Sequence, residues 1–213
     1  MNPMHDKPAT LATPMMRSFA QRADKTRKVV FLTSADQGGG PALAHRLAEA
    51  NAAVALFGSD PIKLGTLKDE LESRRGAAAF YAVDSTNGET LFSEMERAGT
   101  VLGGIDLMVI NIHPKIQGLD KMSYVEEFMR SAIQDTVRCI ERGIELFDRF
   151  HMPPRVMSIC SRLGQTGKAP ELYGMLHEAI RAITQSARAE HHKKNGQFDF
   201  HIFDNFIPPF RYL

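Results

Sequence analysis

The chain has 213 residues with a formal net charge of +1, and 43% of its residues are hydrophobic and 24% charged. This length supports one domain with a hydrophobic core, and the balanced charge argues against a nucleic-acid partner held by bulk electrostatics. No apolar run approaches the ~20 residues of a membrane-spanning helix, and Cys139 and Cys160 fit neither a disulfide framework nor a metal site. We therefore expect a cytoplasmic protein with no bound metal, no nucleic acid and no membrane partner.

Residues 1–27 mix proline, threonine, methionine and charged residues without a stable period. They lack the continuous apolar segment of a secretory signal, and Asp6 and Asp24 argue against a basic transit helix. The pattern favours a flexible tail over residues 1–27, available to dock on a protein partner. One domain is expected to occupy residues 28–213.

From Lys28 onward, short apolar runs alternate with longer segments of helical periodicity. The periodic segments predict five helices. Pro153 is expected to stop the fourth helix, and Gly196 to end the fifth. Strands separated by helices of this length indicate an α/β fold with a doubly wound parallel sheet of Rossmann type, about six strands with helices on both faces. The predicted strands are 29–33, 53–57, 77–83, 107–110, 156–160 and 198–203, and the predicted helices are 41–50, 61–75, 89–102, 123–151 and 171–191.

A glycine-rich turn joins the first predicted strand to the first predicted helix. It reads Thr33-Ser34-Ala35-Asp36-Gln37-Gly38-Gly39-Gly40. Such a turn lets the backbone approach a pyrophosphate, and the helix start supplies unpaired N–H groups and the positive end of the helix dipole. Taken alone, a glycine cluster predicts dinucleotide binding about as strongly as it predicts a simple turn.

Further stretches in chain order resemble the short-chain dehydrogenase/reductase family. The turn is similar to the family's TGxxxGxG, with Ser34 in place of the first glycine, and IDLMVINIH (105–113) is similar to its DxLVNNAG. The resemblance covers about residues 28–210 and implies a nicotinamide cofactor, either NADP or NAD. The residues it places at the cofactor are Thr33, Ser34, Gln37, Gly38, Gly40, Ser59, Asp84, Asn111 and Pro208.

The same resemblance places the chemical step on four residues. Ser161 occupies the position of the family's catalytic serine, Tyr173 follows it by 12 residues as the acid/base tyrosine, and Asp135 stands in place of an asparagine. The family's lysine, four residues after the tyrosine, is His177 here. Because that lysine lowers the tyrosine pKa and holds the nicotinamide ribose, a histidine weakens both roles unless an acid keeps it charged. Asp135 is the candidate acid, although an unrelated structural role for both residues is favoured about two to one.

Other departures concern the cofactor. Gly58 and Ser59 fill the places where an acid would hold the NAD ribose or an arginine the NADP 2′-phosphate, with Asp60 or Lys63 as possible substitutes. Pro209 replaces a glycine, and the resemblance stops before the family's substrate-loop helices and seventh strand. His113, in place of another glycine, either lines the cleft or simply ends a strand.

These departures leave two functions open. We favour a non-catalytic or weakly active nucleotide-binding and regulatory protein, in effect a pseudoenzyme. The alternative is an NAD(P)-dependent oxidoreductase that reduces a carbonyl or oxidises an alcohol with Tyr173 as acid/base. The resemblance also implies a homodimer through helices 123–151 and 171–191, which carry Met129, Ile133, Ile140, Ile144 and Ile180.

Overall fold

The computed structural model describes residues 27–83, 88–113, 122–161 and 170–203. Its strands and helices alternate along the whole of this part of the chain. The strands are β1 (Val29–Leu32), β2 (Ala53–Gly58), β3 (Ala77–Ala82), β4 (Leu107–Ile112), β5 (Arg155–Ser161) and β6 (Gln197–Phe203). The helices are α1 (Gly40–Glu49), α2 (Pro61–Ser73), α3 (Gly88–Leu102), α4 (Met122–Arg149) and α5 (Pro170–His191).

The six strands form one parallel sheet in the order β3-β2-β1-β4-β5-β6. Phe31 in β1 pairs with Ala55 on one side and with Met108 on the other. The chain therefore builds outward from β1 in one direction and from β4 in the opposite direction. This reversal creates a crevice at the carboxyl ends of β1 and β4, where ligands bind in open α/β sheets. The predicted doubly wound sheet of about six strands is confirmed.

Both faces of the sheet are buried, because successive side chains along each strand point to opposite sides. Phe31 packs with apolar residues of α3, α4 and α5, among them Met95 and Leu146. Leu32 packs on the other face with apolar residues of α1 and α2, among them Leu43. The helices thus cover the sheet from both sides, as the sequence predicts.

α5 ends at His191 as predicted, but the residues that stop α4 and α5 differ from those that the sequence indicates. α4 stops at Arg149, before Pro153, because His151 adopts a left-handed φ of 55° and the Met152 N–H donates to the Phe147 carbonyl at 2.9 Å. After α5 the left-handed residue is Asn195, with φ 55°, rather than Gly196, and a 3₁₀ turn precedes it. Asparagine accepts this conformation with less strain than most residues, so it replaces the expected glycine.

One ion pair fixes the start of the sheet. The Asp106 carboxylate accepts hydrogen bonds from the Val29 N–H at 2.8 Å and from Lys28 Nζ at 3.0 Å. These contacts place the beginning of β1 beside the beginning of β4. Among the residues that the structure describes, no helix is both long and apolar enough to cross a membrane.

Candidate functional site

The candidate residues meet at the carboxyl edge of the sheet. Ser34 follows β1, Ser59 follows β2, Asn111 lies near the end of β4, and Ser161 is the last residue of β5. Because all the strands are parallel, their carboxyl ends lie at the same edge. The reversal between β1 and β4 places the glycine-rich turn at the centre of that edge.

The glycine-rich turn adopts the conformation that its glycines suggest. Ser34 has φ 46° and Gly38 has φ 53°, so both lie in the left-handed region. A Cβ on Gly40 would lie 2.6 Å from the carbonyl oxygens of Ser34 and Ala35, so only glycine fits there. Ser34 thus keeps the backbone shape of the glycine it replaces, at a cost in strain. The motif is less altered in shape than its sequence suggests.

Helix α1 begins directly after this turn and offers its N-terminus to the crevice. Gly39 caps it without a side-chain hydrogen bond, and Pro41 occupies an early position where a missing N–H costs little. The Gly40 N–H donates to the Gln37 carbonyl at 2.8 Å and Pro41 has no N–H, so it is mainly the positive end of the helix dipole that can meet an anionic group.

Asn111 holds the turn in place from β4. It is 3% exposed, and its Nδ2 donates to the Ser34 carbonyl at 2.8 Å and to the Gln37 carbonyl at 2.9 Å. Its backbone N–H donates to the Thr33 hydroxyl at 3.2 Å, and the Thr33 N–H donates to the Val109 carbonyl at 3.0 Å. The structure therefore brings Asn111 together with Thr33, Ser34 and Gln37, and Asn111 acts through the turn.

Asp36 links the turn to β2, which the sequence did not indicate. Its Oδ2 accepts hydrogen bonds from the N–H groups of Ser59 at 3.0 Å and Asp60 at 2.8 Å, and from the Ser59 hydroxyl at 3.3 Å. Gln37 Nε2 donates to Ser59 Oγ at 3.3 Å. The only sequence signal for Asp36 was an acid within the turn, opposite a glycine at the end of β2. These bonds place Ser59 beside the glycine-rich turn, at the carboxyl edge of the sheet.

His113 lies over the turn at the last described residue of its segment. Its ring occupies the space beside Gly38, where an added Cβ would lie 2.8 Å from the ring Cγ. Partial burial lowers the pKa of His113 below its ordinary value, which favours the neutral ring. Of the two predicted roles, the position beside Gly38 supports the one that lines the cleft.

Tyr173 and His177 lie one turn apart on α5 and face the sheet. Tyr173 is 8% exposed and His177 is 2% exposed. Their ring centroids are 6.4 Å apart in an edge-on arrangement, and the His177 ring also lies 6.3 Å from that of Phe200 on β6. Burial raises the pKa of Tyr173 above its ordinary value of 10.0. This direction is opposite to the one that acid/base catalysis near neutral pH requires.

Asp135 lies on α4 among residues of α3 and α4. Its side chain accepts a hydrogen bond from the Ser131 hydroxyl at 3.3 Å and lies 4.0 Å from Arg138. It lines a small cavity with Phe92 and Cys139, and its charge adds to the burial that raises the pKa of Cys139 to about 12. His177 meanwhile packs against aromatic rings of α5 and β6. The Asp135–His177 pair stays a prediction.

Three predicted site positions have side chains outside the described part of the structure. The backbone of Ser161 ends β5, but its side chain is not described, and Asp84 and Pro208 lie outside the described residues. Within the described ranges, no three histidine, cysteine or acidic side chains cluster as a metal site would require.

A comparison of the sequence with models of known protein families shows which family has this turn, helix and sheet. The short chain dehydrogenase model matches residues 28–198, which is more than half of the chain. The chain belongs to the short-chain dehydrogenase family. The resemblance drawn from the motifs is therefore confirmed, and it covers the same region of the chain.

Solved structures of the same family share the fold. A short-chain type dehydrogenase/reductase from Mycobacterium marinum superposes with a TM-score of 0.71 at 19% identity, covering 85% of this chain and 76% of its own. A xylitol dehydrogenase with bound NAD+ has a TM-score of 0.69 at 20% identity, covering 83% and 70%. A short-chain dehydrogenase/reductase from Serratia marcescens has a TM-score of 0.64 at 18% identity, covering 82% and 71%. These likenesses establish the Rossmann fold.

Proposed function

We propose that this short-chain dehydrogenase binds a nicotinamide dinucleotide and performs hydride transfer weakly or not at all. The observation that carries the proposal is the contrast between the two halves of the site. The turn at β1 and α1 keeps its left-handed residues and its uncapped helix N-terminus. Tyr173, by contrast, is buried against the His177 ring, and its pKa is raised.

The binding half of the proposal follows from the groups that the turn presents. Gly40 lets the turn fold tightly against the carbonyls of Ser34 and Ala35, and the positive end of the α1 dipole can bind a pyrophosphate. Asn111 fixes the turn before the ligand arrives, which reduces the entropy lost on binding. The xylitol dehydrogenase with bound NAD+ has the same fold, which supports a dinucleotide of this class.

The chemical half depends on Tyr173. A bound nicotinamide supplies or accepts the hydride, while the protein must give a proton to the substrate oxygen or take one from it. A tyrosine does this near neutral pH only when a neighbouring cation lowers its pKa. In this chain the fourth residue after Tyr173 is His177, 2% exposed beside Phe200, and an imidazole is a weaker and shorter-reaching cation than the ammonium group of lysine. Proton transfer is therefore expected to be slow.

The test is to replace His177 with lysine and compare the turnover of NADH and NADPH with a panel of ketones and aldehydes. His177→Lys is expected to raise turnover at least about tenfold over the parent, because a fixed cation lowers the tyrosine pKa. His192→Lys, the same change at an exposed position, should leave turnover unchanged. Parent turnover at ordinary enzyme rates of about 1 s⁻¹ or more would contradict the proposal.

A second candidate function is an NAD(P)-dependent oxidoreductase that uses Tyr173 directly. The edge-on contact between Tyr173 and His177 favours it, since an adjacent imidazole can exchange a proton with a phenol. In that case parent turnover falls by more than about a hundredfold in Tyr173→Phe. If residual parent turnover is the same in Tyr173→Phe, this candidate is wrong.

The homodimer remains a proposal, with α4 and α5 as its interface. Ile140 and Ile180 are buried in the core and are not available to a partner, whereas Met175 on α5 is 64% exposed. Met175 is therefore the apolar side chain of α5 that we place at the interface. Sedimentation of the parent and of Met175→Asp should show a dimer that the variant weakens. The cytoplasmic location and a partner for residues 1–27 also stay predictions.

A further inference from the structure

The end of β2 has no side chain of its own. Dinucleotide-binding sheets commonly place an acid here to hold the ribose 2′-hydroxyl of NAD, or an arginine to hold the 2′-phosphate of NADP. In this chain the position is Gly58. A Cβ built on Gly58 would meet the Asp36 carboxyl group, with Oδ1 as the nearest atom, Cγ at 2.6 Å and Oδ2 at 3.2 Å. The Asp36 carboxyl group therefore occupies the space where a side chain of residue 58 would begin.

The hydrogen bonds of Asp36 leave one oxygen available. Oδ2 accepts three hydrogen bonds from the residues that start α2: the N–H groups of Ser59 and Asp60 and the Ser59 hydroxyl. Oδ1 is buried and has no hydrogen-bond partner among the described residues, and Asp36 as a whole is 7% exposed. A buried carboxylate oxygen without a donor is unfavourable, so a ligand hydroxyl that donates to it gains an interaction that water does not supply.

A weak contact also lies beside the Asp36 carboxyl group. Gln37 Nε2 donates to Ser59 Oγ at 3.3 Å, and this bond is exposed to solvent beside the Asp36 carboxyl group. A sugar that displaces the Gln37 side chain reaches the carboxyl group from the crevice. The exchange costs little because exposed hydrogen bonds are readily replaced by bonds to water or ligand.

The charges around this position disfavour a phosphate. The Asp60 carboxylate caps α2, accepting hydrogen bonds from the N–H groups of Ile62 at 3.0 Å and Lys63 at 3.1 Å. The Lys63 ammonium group lies 3.5 Å from that same carboxylate, so its charge is directed to Asp60. The Lys63 ammonium group and the helix start thus offset the Asp60 charge, and the Asp36 carboxylate is the negative group that would repel a phosphate beside Gly58.

We propose that Asp36 supplies the acid that receives the adenosine ribose hydroxyl of NAD(H), and that it excludes NADP(H). Asp36, in the glycine-rich turn that follows β1, thus provides the carboxylate that Gly58 at the end of β2 lacks. This inference rests on the proposed nucleotide binding and specifies which nucleotide the site takes.

The test is the ratio of NADPH to NADH dissociation constants, measured by nucleotide fluorescence with the full chain. The parent should bind NADH at least about tenfold more tightly than NADPH, since a hydrogen bond to a charged group contributes about that much and repulsion adds to it. Asp36→Asn should weaken NADH binding and strengthen NADPH binding, bringing the ratio below about three. Asp69→Asn removes the same charge from an exposed position of α2 and should keep the parent ratio.

Each other outcome overturns a defined claim. If neither nucleotide binds the folded parent, both the proposed function and this inference are wrong. If the parent binds both nucleotides equally, or Asp36→Asn keeps the parent ratio, this inference alone is wrong. Circular dichroism verifies that the variant is folded, and Asp36→Ser is the second variant, with the same expected loss of selectivity. If neither variant folds, the parent ratio decides, and a preference for NADH below about tenfold refutes the role of Asp36.

Discussion

Removing the Asn111 amide should loosen the glycine-rich turn by an amount that the hydrogen bonds define. Its Nδ2 donates to the carbonyls of Ser34 and Gln37. Each carbonyl has a second donor, since Ser34 also accepts from the Gln37 N–H at 3.1 Å and Gln37 from the Gly40 N–H at 2.8 Å. Asn111→Ala therefore leaves neither oxygen unpaired, and the loss is that of two ordinary hydrogen bonds, about 1–3 kcal/mol in the free energy of unfolding.

Asn111→Asp separates the loss of the donors from the loss of side-chain volume. The carboxylate has the same size but faces two carbonyl oxygens without donating to either, so we expect a larger loss, above about 3 kcal/mol. Urea denaturation of the parent and both variants measures these values. Gln185→Ala, at an exposed amide on α5, is the control and should change stability by less than about 0.5 kcal/mol. If Asn111→Ala changes stability no more than the control does, or Asn111→Asp loses no more stability than Asn111→Ala, the role of the Asn111 amide in holding the turn is refuted.

Three further predictions concern strain, burial and pH. Ser34→Gly should raise stability by about 1 kcal/mol, because glycine accepts a φ of 46° without strain; a fall in urea midpoint would contradict this. Tyr81→Phe should keep or raise stability by up to about 1 kcal/mol, because the Tyr81 hydroxyl is buried without a partner in the described part of the chain; a loss above 1 kcal/mol would reveal one. Burial raises the pKa of Tyr81 and of Cys160 to about 12, so unfolded chains lose these protons first and stability should fall between about pH 9 and 12. Thermal melts should show this decline, reduced in Tyr81→Phe, and an equal decline in that variant would exclude the tyrosine.

The fold could be predicted from the sequence because each strand is a short apolar run and each helix has its own periodicity. Val29–Leu32 is buried on both faces, so its four residues are all apolar. The end of α4 was predicted less well, because a single left-handed residue, His151, decides where that helix stops. The left-handed φ at His151 was not expected, because no glycine or asparagine, the residues that usually end helices this way, follows α4 in the sequence.

The binding half of the site was predictable only in part. Thr33, Gln37, Gly38 and Asn111 follow from motif order, and the structure brings them together. Asp36 escaped prediction because its role depends on the absence of a side chain at Gly58, which lies on another strand. A residue that fills the place of a side chain missing from a distant part of the sequence leaves no pattern along the chain. Only the contact in the folded structure identifies it.

For the catalytic half of the site, the sequence predicted which side chains lie together. It did not predict whether they can transfer a proton. The spacing of Tyr173 and His177 predicts that they share one helix face, which the ring contact bears out. The environment of that face could not be predicted, because Phe200, whose ring lies 6.3 Å from that of His177, comes from β6. Burial decides whether an imidazole can carry charge, so sequence spacing alone does not establish activity.

The central claim, binding without efficient hydride transfer, can be tested in one cuvette. NADH is titrated into the full chain until its fluorescence change saturates, and a mixture of ketones and aldehydes is then added while nicotinamide absorbance is followed. The account predicts a saturable fluorescence change followed by an absorbance that stays constant over many minutes. Rapid loss of the reduced nicotinamide, or no saturable change on titration, would contradict it.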